Sequence, residues 1–329
     1  MKAFTIAIVW AAALDISIYD HEWRNQQIPL HHLGEKRQPT SNTEFNALQD
    51  FYTRFNGILW KNSNNWLIGD PCINYWEGVS CGPNGNIIGL YFFRNNLNGI
   101  FPDSISQLSH LIYLYIFNDS PEGDNDNIIY LLSDSICALS ALVDFNLDNV
   151  ALNGRIPNCI ETMTSLHSIS LRGNNLKDII SDIDWNGITN ITIIELDDNQ
   201  LYGTLPMLSL NKLETFDINN NAMTGAIPFF DCPNLVSIDF RNNSLSGIFP
   251  LEYMNPAKYT SLEYVGILLN LNIDMSSVPE CMRTPLCYKN AVNYAEVITG
   301  ETLHVLSNDT KDRILNASKT VSMPYFSDL

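Results

Sequence analysis

Seven cysteines are the residues of this chain whose type and spacing point most directly to chemistry. They are spread from Cys72 to Cys287, whereas a zinc site requires cysteines and histidines in a tighter cluster. Oxidation to disulfides suits them better, because disulfides form and persist in exported proteins. Their odd number leaves one thiol over.

The groups that could catalyse a reaction or bind a metal are not clustered in the sequence. Six histidines are scattered, and the chain contains no GxSxG motif, no HExxH motif and no phosphate-binding glycine loop. Asp124 and Asp126 offer too few oxygen ligands for calcium. The sequence therefore predicts no enzyme, no cofactor and no metal site.

A recurring phrase of asparagine, leucine, glycine and proline determines how the chain positions its other residues. It reads NNLNGIFP at 95–102, NQLYGTLP at 199–206, NAMTGAIP at 221–228 and NSLSGIFP at 243–250. Repeats of roughly 20 to 29 residues with this content predict a leucine-rich-repeat solenoid. The marker asparagine has about eight equivalents: Asn95, Asp119, Val150, Asn174, Asn199, Asn221, Asn243 and Asn270.

The marker asparagine can bond backbone groups that no strand partner reaches, so successive units are expected to build a ladder of amides. Asp119 and Val150 depart from the asparagine, and an insertion at residues 120–129 separates them. We expect the ladder to be weakest at this point.

Each unit also predicts a short strand whose residues alternate between the core and one exposed face. Leu171 is expected to point inward and its neighbour Ser170 to face solvent. The predicted fold is an α/β repeat, a right-handed leucine-rich-repeat solenoid of about eight repeats with a parallel concave sheet and disulfide-bonded caps. The inward pairs are Leu90/Phe92, Leu114/Ile116, Phe145/Leu147, Ile169/Leu171, Ile194/Leu196, Phe216/Ile218, Ile238/Phe240 and Val265/Ile267.

The repeat register pairs six of the cysteines. Two stand just before the first repeat and two just after the last, where a disulfide would close each exposed end of the solenoid. Two more stand about one repeat apart, and Cys232 remains as a buried free thiol. The expected pairs are Cys72 with Cys81, Cys137 with Cys159, and Cys281 with Cys287.

Several features predict a secreted, extracellular glycoprotein. Residues 1–13 resemble a secretory signal peptide, and no other segment is long enough to cross a membrane. The net charge of −18 argues against nucleic acid and anionic membranes as partners. Glycosylation sequons begin at Asn118, Asn190, Asn242, Asn308 and Asn316.

The segment ALQDFYTRFNGILWKNSNNWLIGDPCINYWEGVSC at 47–81 resembles the N-terminal cap of plant-type extracellular leucine-rich-repeat proteins. Such proteins include receptor-like protein ectodomains and polygalacturonase-inhibiting proteins, and secreted protist relatives are similar. The resemblance implies that Trp60, Trp66 and Trp76 pack under the cap and that Cys72 pairs with Cys81. It also implies that the LxGxIP phrases add a second strand to each coil.

The resemblance and the repeats together predict five regions of the chain. They are a signal peptide at 1–13, a linker or pro-segment at 14–43, an N-terminal cap at 44–86, repeats at 87–280, and a C-terminal cap and tail at 281–329. Lys36 and Arg37 form a dibasic pair within the linker.

The exposed side of the concave strands is where a binding function is expected. Aromatic residues gather at one end of it and acids in the middle. Either the aromatic residues bind a partner, or the insertion at 120–129 covers them. The acids either take part in binding or simply reflect the overall negative charge of the chain. The predicted partner-binding residues are Tyr91, Phe93, Tyr113, Tyr115, Phe117, Asp144, Asp148, Glu195, Asp197, Asp217 and Asp239.

Two function classes compete at this stage. A secreted recognition protein would bind an extracellular protein or glycan on its concave face. A structural subunit of a matrix, wall or filament would instead bind copies of itself through head-to-tail contacts.

Overall fold

The computed structural model describes residues 38–119, 126–255, 257–267, 270, 272–274 and 276–277. The predicted signal peptide, most of the predicted linker, the Cys281–Cys287 pair and the sequons at Asn308 and Asn316 lie outside these residues. The fold below concerns the cap and the coils only.

Helix α1 (Asn42–Arg54) opens the N-terminal cap. Ser41 is its N-cap residue and accepts a hydrogen bond from the Glu44 backbone N–H, which satisfies one of the free donors of the first turn. The helix buries Ala47, Leu48 and Phe51 against the first coil. With Ser41 as its N-cap residue, the helix begins at Asn42, two residues before the predicted start of the N-terminal cap at residue 44.

Three tryptophans fill the space under this helix, as the family resemblance implied. Trp60, Trp66 and Trp76 are buried, and the Trp66 ring centroid lies 4.9 Å from each of the other two. Each indole N–H donates to a backbone carbonyl, so the large rings are buried without an unsatisfied donor. The cap therefore closes the first coil with an aromatic core.

Short strands and 3-10 turns alternate through the described coils. The strands are β1 (Val79–Cys81), β2 (Ile87–Phe93), β3 (Asn98–Gly99), β4 (Tyr113–Phe117), β5 (Ile128–Ile129), β6 (Asp144–Asn146), β7 (Asn153–Gly154), β8 (Ser168–Ser170), β9 (Asn175–Leu176), β10 (Ile193–Glu195), β11 (Tyr202–Thr204), β12 (Thr215–Asp217), β13 (Ala222–Ala226), β14 (Ser237–Asp239), β15 (Ser244–Ile248), β16 (Tyr264–Gly266) and β17 (Asn272–Asp274). The 3-10 turns are Gly57–Leu59, Asp103–Gln107, Asp134–Ala138, Asn158–Thr162, Ile180–Asp182, Trp185–Gly187 and Leu251–Met254.

The main sheet runs in the order β1-β2-β4-β6-β8-β10-β12-β14-β16. All neighbouring pairs are parallel except β1 with β2, which forms an antiparallel edge beside the cap. All sixteen residues of the predicted inward pairs are buried. The structure is therefore the leucine-rich-repeat solenoid that the sequence predicts.

The LxGxIP phrases form a second set of strands on the flank of the coils. They pair as β11-β13-β15-β17, β3-β5 and β7-β9. Gly203 and Gly225 have φ of +88° and +80°, a region that side chains disfavour, which explains the glycine in the phrase. The predicted second strand of the coils is confirmed.

An asparagine ladder joins the coils, as Asn174 illustrates. Its Nδ2 donates to Leu147 O of the preceding coil at 2.7 Å, and its Oδ1 accepts from Val150 N at 3.1 Å and Leu152 N at 2.9 Å. The side chain thus satisfies backbone groups that lie between strands. Asn199, Asn221, Asn243 and Asn270 make equivalent bonds.

The ladder is not weak at the insertion, so that expectation was wrong. Asn127 takes the position expected for Asp119: its Nδ2 donates to Phe92 O at 2.8 Å and Phe117 O at 3.1 Å. Its Oδ1 accepts from Asn95 N at 3.0 Å. The insertion therefore supplies the missing amide from a residue later in the chain.

The neighbouring departure at Val150 is compensated as well. Asn118 Nδ2 donates to Asn149 O at 2.6 Å, and Asn149 Nδ2 donates back to Asn118 O at 3.1 Å. This reciprocal pair joins the second coil to the third, while the Val150 side chain is buried in the core.

Two disulfides lie within the described residues, and they join Cys72 to Cys81 and Cys137 to Cys159. The second links adjacent 3-10 turns on the convex side of the coils. Cys232 is a buried free thiol whose sulfur accepts from Leu210 N at 3.4 Å. Burial raises the pKa of the Cys232 thiol to about 11, which keeps it protonated and unreactive.

Candidate functional site on the concave face

The strand register places the predicted binding residues in rows across the concave face. The central row consists of one residue from each of seven neighbouring strands: Tyr91, Tyr115, Asn146, Ser170, Glu195, Asp217 and Asp239. Phe93 stands opposite Phe117 in a second row, and Tyr113 stands opposite Asp144 in a third. We call Tyr91, Phe93, Tyr113, Tyr115 and Phe117 the aromatic surface.

The rings of the aromatic surface pack against one another. Tyr91 and Tyr115 are stacked with centroids 5.5 Å apart, and Tyr113 and Tyr115 are stacked at 6.4 Å. Phe93 and Phe117 lie 5.0 Å apart, and Phe93 is 41% exposed. The three tyrosines and Phe117 are half-buried. The described residues thus leave these rings partly open to solvent.

Gly89 makes room for this arrangement. A Cβ at this position would lie 2.4 Å from Tyr91 Cε2, so a larger residue would displace the ring. The Tyr91 ring therefore leans back along its own strand towards Tyr113. Gly266 has the same role at the other end of the sheet, where a Cβ would lie 2.6 Å from the Tyr264 hydroxyl.

Asp144 borders the aromatic surface. The Tyr115 hydroxyl donates to its carboxylate, and burial raises the pKa of Tyr115 and of Asp144. Burial likewise raises the pKa of Tyr91. The hydroxyls of Tyr91 and Tyr115 therefore stay protonated at neutral pH and act as neutral donors on this part of the face.

Two arginines form ion pairs with acids further along the sheet. Arg172 Nε lies 3.1 Å from Asp197 Oδ1, and Arg241 Nη2 lies 2.7 Å from Asp239 Oδ2. Asp197 and Asp239 are each only 3% exposed, which contradicts their expected place on the open surface. They are buried because the arginine side chains, and Tyr264 beside Asp239, cover them. Their burial leaves little of either side chain for a partner to contact.

Ser170 is also buried, so the expectation that it faces solvent was wrong. It is 3% exposed, and its hydroxyl donates to Asp148 Oδ1 at 2.7 Å. Asp148 also accepts from Arg172 N at 3.0 Å. Burial nevertheless raises the pKa of Asp148. Asp148 thus supports the sheet, although its side chain is half-exposed.

Glu195 and Asp217 are the acids of the central row that stay partly exposed. They stand opposite each other on β10 and β12, and both are half-buried. Burial raises the pKa of each, and nearby Asp197 and Asp239 raise that of Asp217 further. Among the described residues, no ion pair shorter than 4.0 Å involves either carboxylate.

We predict that the free energy of unfolding falls as the pH rises from about 4 to about 7. Burial raises the pKa of Asp197 to about 7 despite Arg172, so the folded state holds protons that the unfolded state releases. This stability is complete below the unfolded pKa and is lost as the pH rises through the folded pKa. Each extra proton gives a slope of about 1.4 kcal/mol per pH unit.

Urea unfolding at pH 5, 6 and 7 measures this slope. Asp197→Asn should flatten it, whereas Asp182→Asn, at an exposed position on a convex turn, should leave it unchanged. A free energy that rises with pH over this window would contradict the assignment.

The predicted glycosylation sites divide by burial. Asn118 is 2% exposed and its amide donates to Asn127 O and Asn149 O, so the folded coil has no room for a glycan there. Asn190 is half-buried and donates to Thr164 O at 2.7 Å. Asn242 is exposed, so of these three it is the position most open to a glycan.

The sequence reasoning missed the charged residues that hold the insertion. Arg94 lies 3.1 Å from Asp119 Oδ1 through Nη1 and 3.3 Å from Asp126 Oδ1 through Nε. Both acids thus bind the coil before the insertion. The sequence offered one signal for these ion pairs, namely that Arg94 directly follows an aromatic strand and precedes an acid-rich insertion.

The described part of the chain contains no group of three or more His, Cys, Asp or Glu side chains that could hold a metal ion. It also contains no helix that is long and apolar enough to cross a membrane.

Known proteins resemble this chain over part of its length. No family model matches it. It is 28% identical over 147 residues to receptor-like protein kinase BRI1-like 3 of Arabidopsis thaliana, over 43% of this chain and 12% of that protein. It is 30% identical over 145 residues to receptor-like protein 18 of Arabidopsis thaliana, over 41% of this chain and 16% of that protein.

The chain thus spans less than a fifth of the length of these two curated relatives. Among solved structures, the leucine-rich-repeat ectodomain of the receptor kinase GASSHO1/SCHENGEN3 from Arabidopsis thaliana, in complex with CASPARIAN STRIP INTEGRITY FACTOR 2, gives a TM-score of 0.43 at 18% identity. The match covers 70% of this chain and 35% of that chain. The sequence matches confirm the expected similarity to plant receptor-like proteins.

Proposed function

We propose that this chain is an extracellular leucine-rich-repeat recognition protein that binds a partner on its concave face. The aromatic surface carries the proposal, because five aromatic side chains side by side on a solvent-facing sheet exceed the scattered apolar residues of an ordinary surface. Burying them under a partner would recover about 25 cal/mol per Å² of apolar area. The chain acts by binding and not by catalysis.

Extracellular location fits the same account. Residues 1–13 resemble a signal peptide, and the two disulfides suit an oxidising compartment. The similarity to proteins named as receptor-like supports a recognition role.

The ring geometry favours a protein segment over a glycan as the partner. A sugar stacks on the open face of an aromatic ring, but Tyr91 and Tyr113 each direct one ring face to Tyr115, which leaves less ring face for a sugar. Ring edges are then the parts that a partner can contact. The side chains of a peptide can pack against such edges.

Replacing Tyr113 and Tyr115 with serine is expected to abolish partner binding and to leave most of the stability in place. Both residues lie on the solvent side of β4, while the core of that strand is Leu114 and Ile116. The measurement offers the full-length chain to a random decapeptide library on phage and to an array of wall polysaccharide fragments. Melting temperatures are recorded in parallel.

Tyr130→Ser is the matched control, since Tyr130 is 46% exposed but lies beside β5 on the flank. We expect peptide enrichment on the wild type and on the control, and none on the double variant. Equal binding by the double variant, or binding by polysaccharide fragments alone, would overturn the proposal.

A further inference from the structure

The pair Glu195 and Asp217 gives the concave face a second feature next to the aromatic surface. The two arginines that flank the pair already bind other acids, since Arg172 pairs with Asp197 and Arg241 with Asp239. Among the described residues, the donors to Asp217 Oδ1 come from Asn219, at 3.0 Å from its backbone N and 2.6 Å from its Nδ2. The described part of the chain thus places two adjacent carboxylates where neither forms an ion pair within 4.0 Å, although Arg172 acts on both from farther away.

A carboxylate oxygen of the neighbouring residue Asp197 also lacks a hydrogen bond among the described residues. Asp197 is 3% exposed, and its Oδ1 accepts no hydrogen bond, although Arg172 Nε lies 3.1 Å away. A buried acceptor without a hydrogen bond costs free energy. A second guanidinium or ammonium group arriving over Glu195 and Asp217 would favour the ionised form of both carboxyls and offset the repulsion among these acids.

We propose that the partner is an extended peptide segment whose large apolar side chain rests on the aromatic surface and whose arginine or lysine reaches Glu195 and Asp217. This inference rests on the proposed function and specifies the chemistry of its partner. Charge complementarity selects a basic segment, because the acids between the two flanking arginines outnumber the cations. The net charge of −18 favours the same sign of partner over the whole protein.

The sheet fixes the spacing that such a peptide needs. From Tyr115 on β4, the order β4-β6-β8-β10-β12 gives three strand steps to Glu195 and four to Asp217. At about 4.8 Å per step these distances are roughly 14 and 19 Å, and an extended peptide rises about 3.3 Å per residue. The basic residue is therefore expected about four to six positions from the apolar one.

The side chains between the two ends suit a peptide crossing the strands. Asn146 and Ser170 occupy the central row between Tyr115 and Glu195. Asn146 Nδ2 donates to Asp148 Oδ2 at 3.0 Å, and the Ser170 hydroxyl is committed to Asp148. Because Asn146 and Ser170 are small, they project less from the sheet than the tyrosine rings do. A peptide backbone can therefore pass over them between Tyr115 and Glu195.

The test selects a random decapeptide phage library on the full-length chain and measures the best synthetic peptide by fluorescence anisotropy. The variant is Glu195→Gln with Asp217→Asn, which keeps the shape of both side chains and removes their charge. The control is Glu161→Gln with Asp182→Asn, the same two changes on convex 3-10 turns. Tyr113→Ser with Tyr115→Ser is measured alongside.

We expect enriched peptides to carry arginine or lysine four to six positions from an aromatic or large aliphatic residue. Affinity should fall at least tenfold on the charge variant, less than twofold on the control, and further in high salt. Peptides that need Tyr113 and Tyr115 but lack a basic residue, or that bind the charge variant equally well, would overturn this inference and leave the proposed function standing. Absence of enriched peptides, or equal binding by the tyrosine variant, would overturn both.

Discussion

Leu171→Asp is expected to destabilise the solenoid by roughly 4 kcal/mol or more, because it places an unpaired charge in the core between coils. Leu171 is fully buried, and its backbone N–H donates to Glu195 O of the next coil. Coils contact mainly their neighbours, so the loss of one interface weakens the whole array. Urea unfolding followed by circular dichroism measures the change.

The control for this variant must be an exposed residue on the same coil. Asn175→Asp adds the same charge at an exposed position four residues later, and it should change the free energy of unfolding by less than about 0.5 kcal/mol. Ser170→Asp is unsuitable, because Ser170 is buried beside the Asp148 carboxylate. Comparable losses for Leu171→Asp and Asn175→Asp would refute the assigned alternation.

Asn127→Ala is expected to cost roughly 3 to 5 kcal/mol. The change removes the Asn127 partner of the Phe92 carbonyl and of the N–H groups of Asn95 and Leu97. The Phe117 carbonyl loses one donor but keeps the Arg94 N–H. Each buried group left unsatisfied costs about 1 to 3 kcal/mol, and part of this is recovered by relaxation. Thermal and urea unfolding of the full-length variant measure the loss.

Asp119→Ala provides the comparison, since Asp119 is the position where the sequence spacing puts the ladder residue. Its contact is an ion pair with Arg94 on a partly exposed surface, which contributes about 1 kcal/mol or less. A larger loss for Asp119→Ala than for Asn127→Ala would show that the insertion does not supply the ladder amide.

The sequence predicted the coil core well because alternation is a local property of each strand. Leu90, Phe92 and their counterparts are apolar at every second position, and a one-residue shift would expose them all. The packing of Trp60, Trp66 and Trp76 in the cap was predictable as well, because the segment resembles the N-terminal cap of plant-type leucine-rich-repeat proteins.

Features that depend on contacts between strands were not predictable from spacing. The position of Asn127 depends on how the chain returns after the insertion, and Asn127 lies eight positions after the expected marker. The burial of Asp197 and Asp239 depends on arginines from the preceding coil and from the same coil, respectively. Alternation correctly gives the face of a strand, but it does not say which side chains on that face cover others.

The central claim is that a partner binds on the concave face and contacts the aromatic surface. Photo-crosslinking tests it most directly, with p-benzoylphenylalanine placed at Tyr113 in one sample and at Tyr130 in another. The ligand is the synthetic peptide most enriched by the full-length chain. We expect a crosslinked product from position 113 and none from position 130, where an exposed tyrosine lies on the flank. Crosslinking at position 130 alone, or equally at both positions, would contradict it.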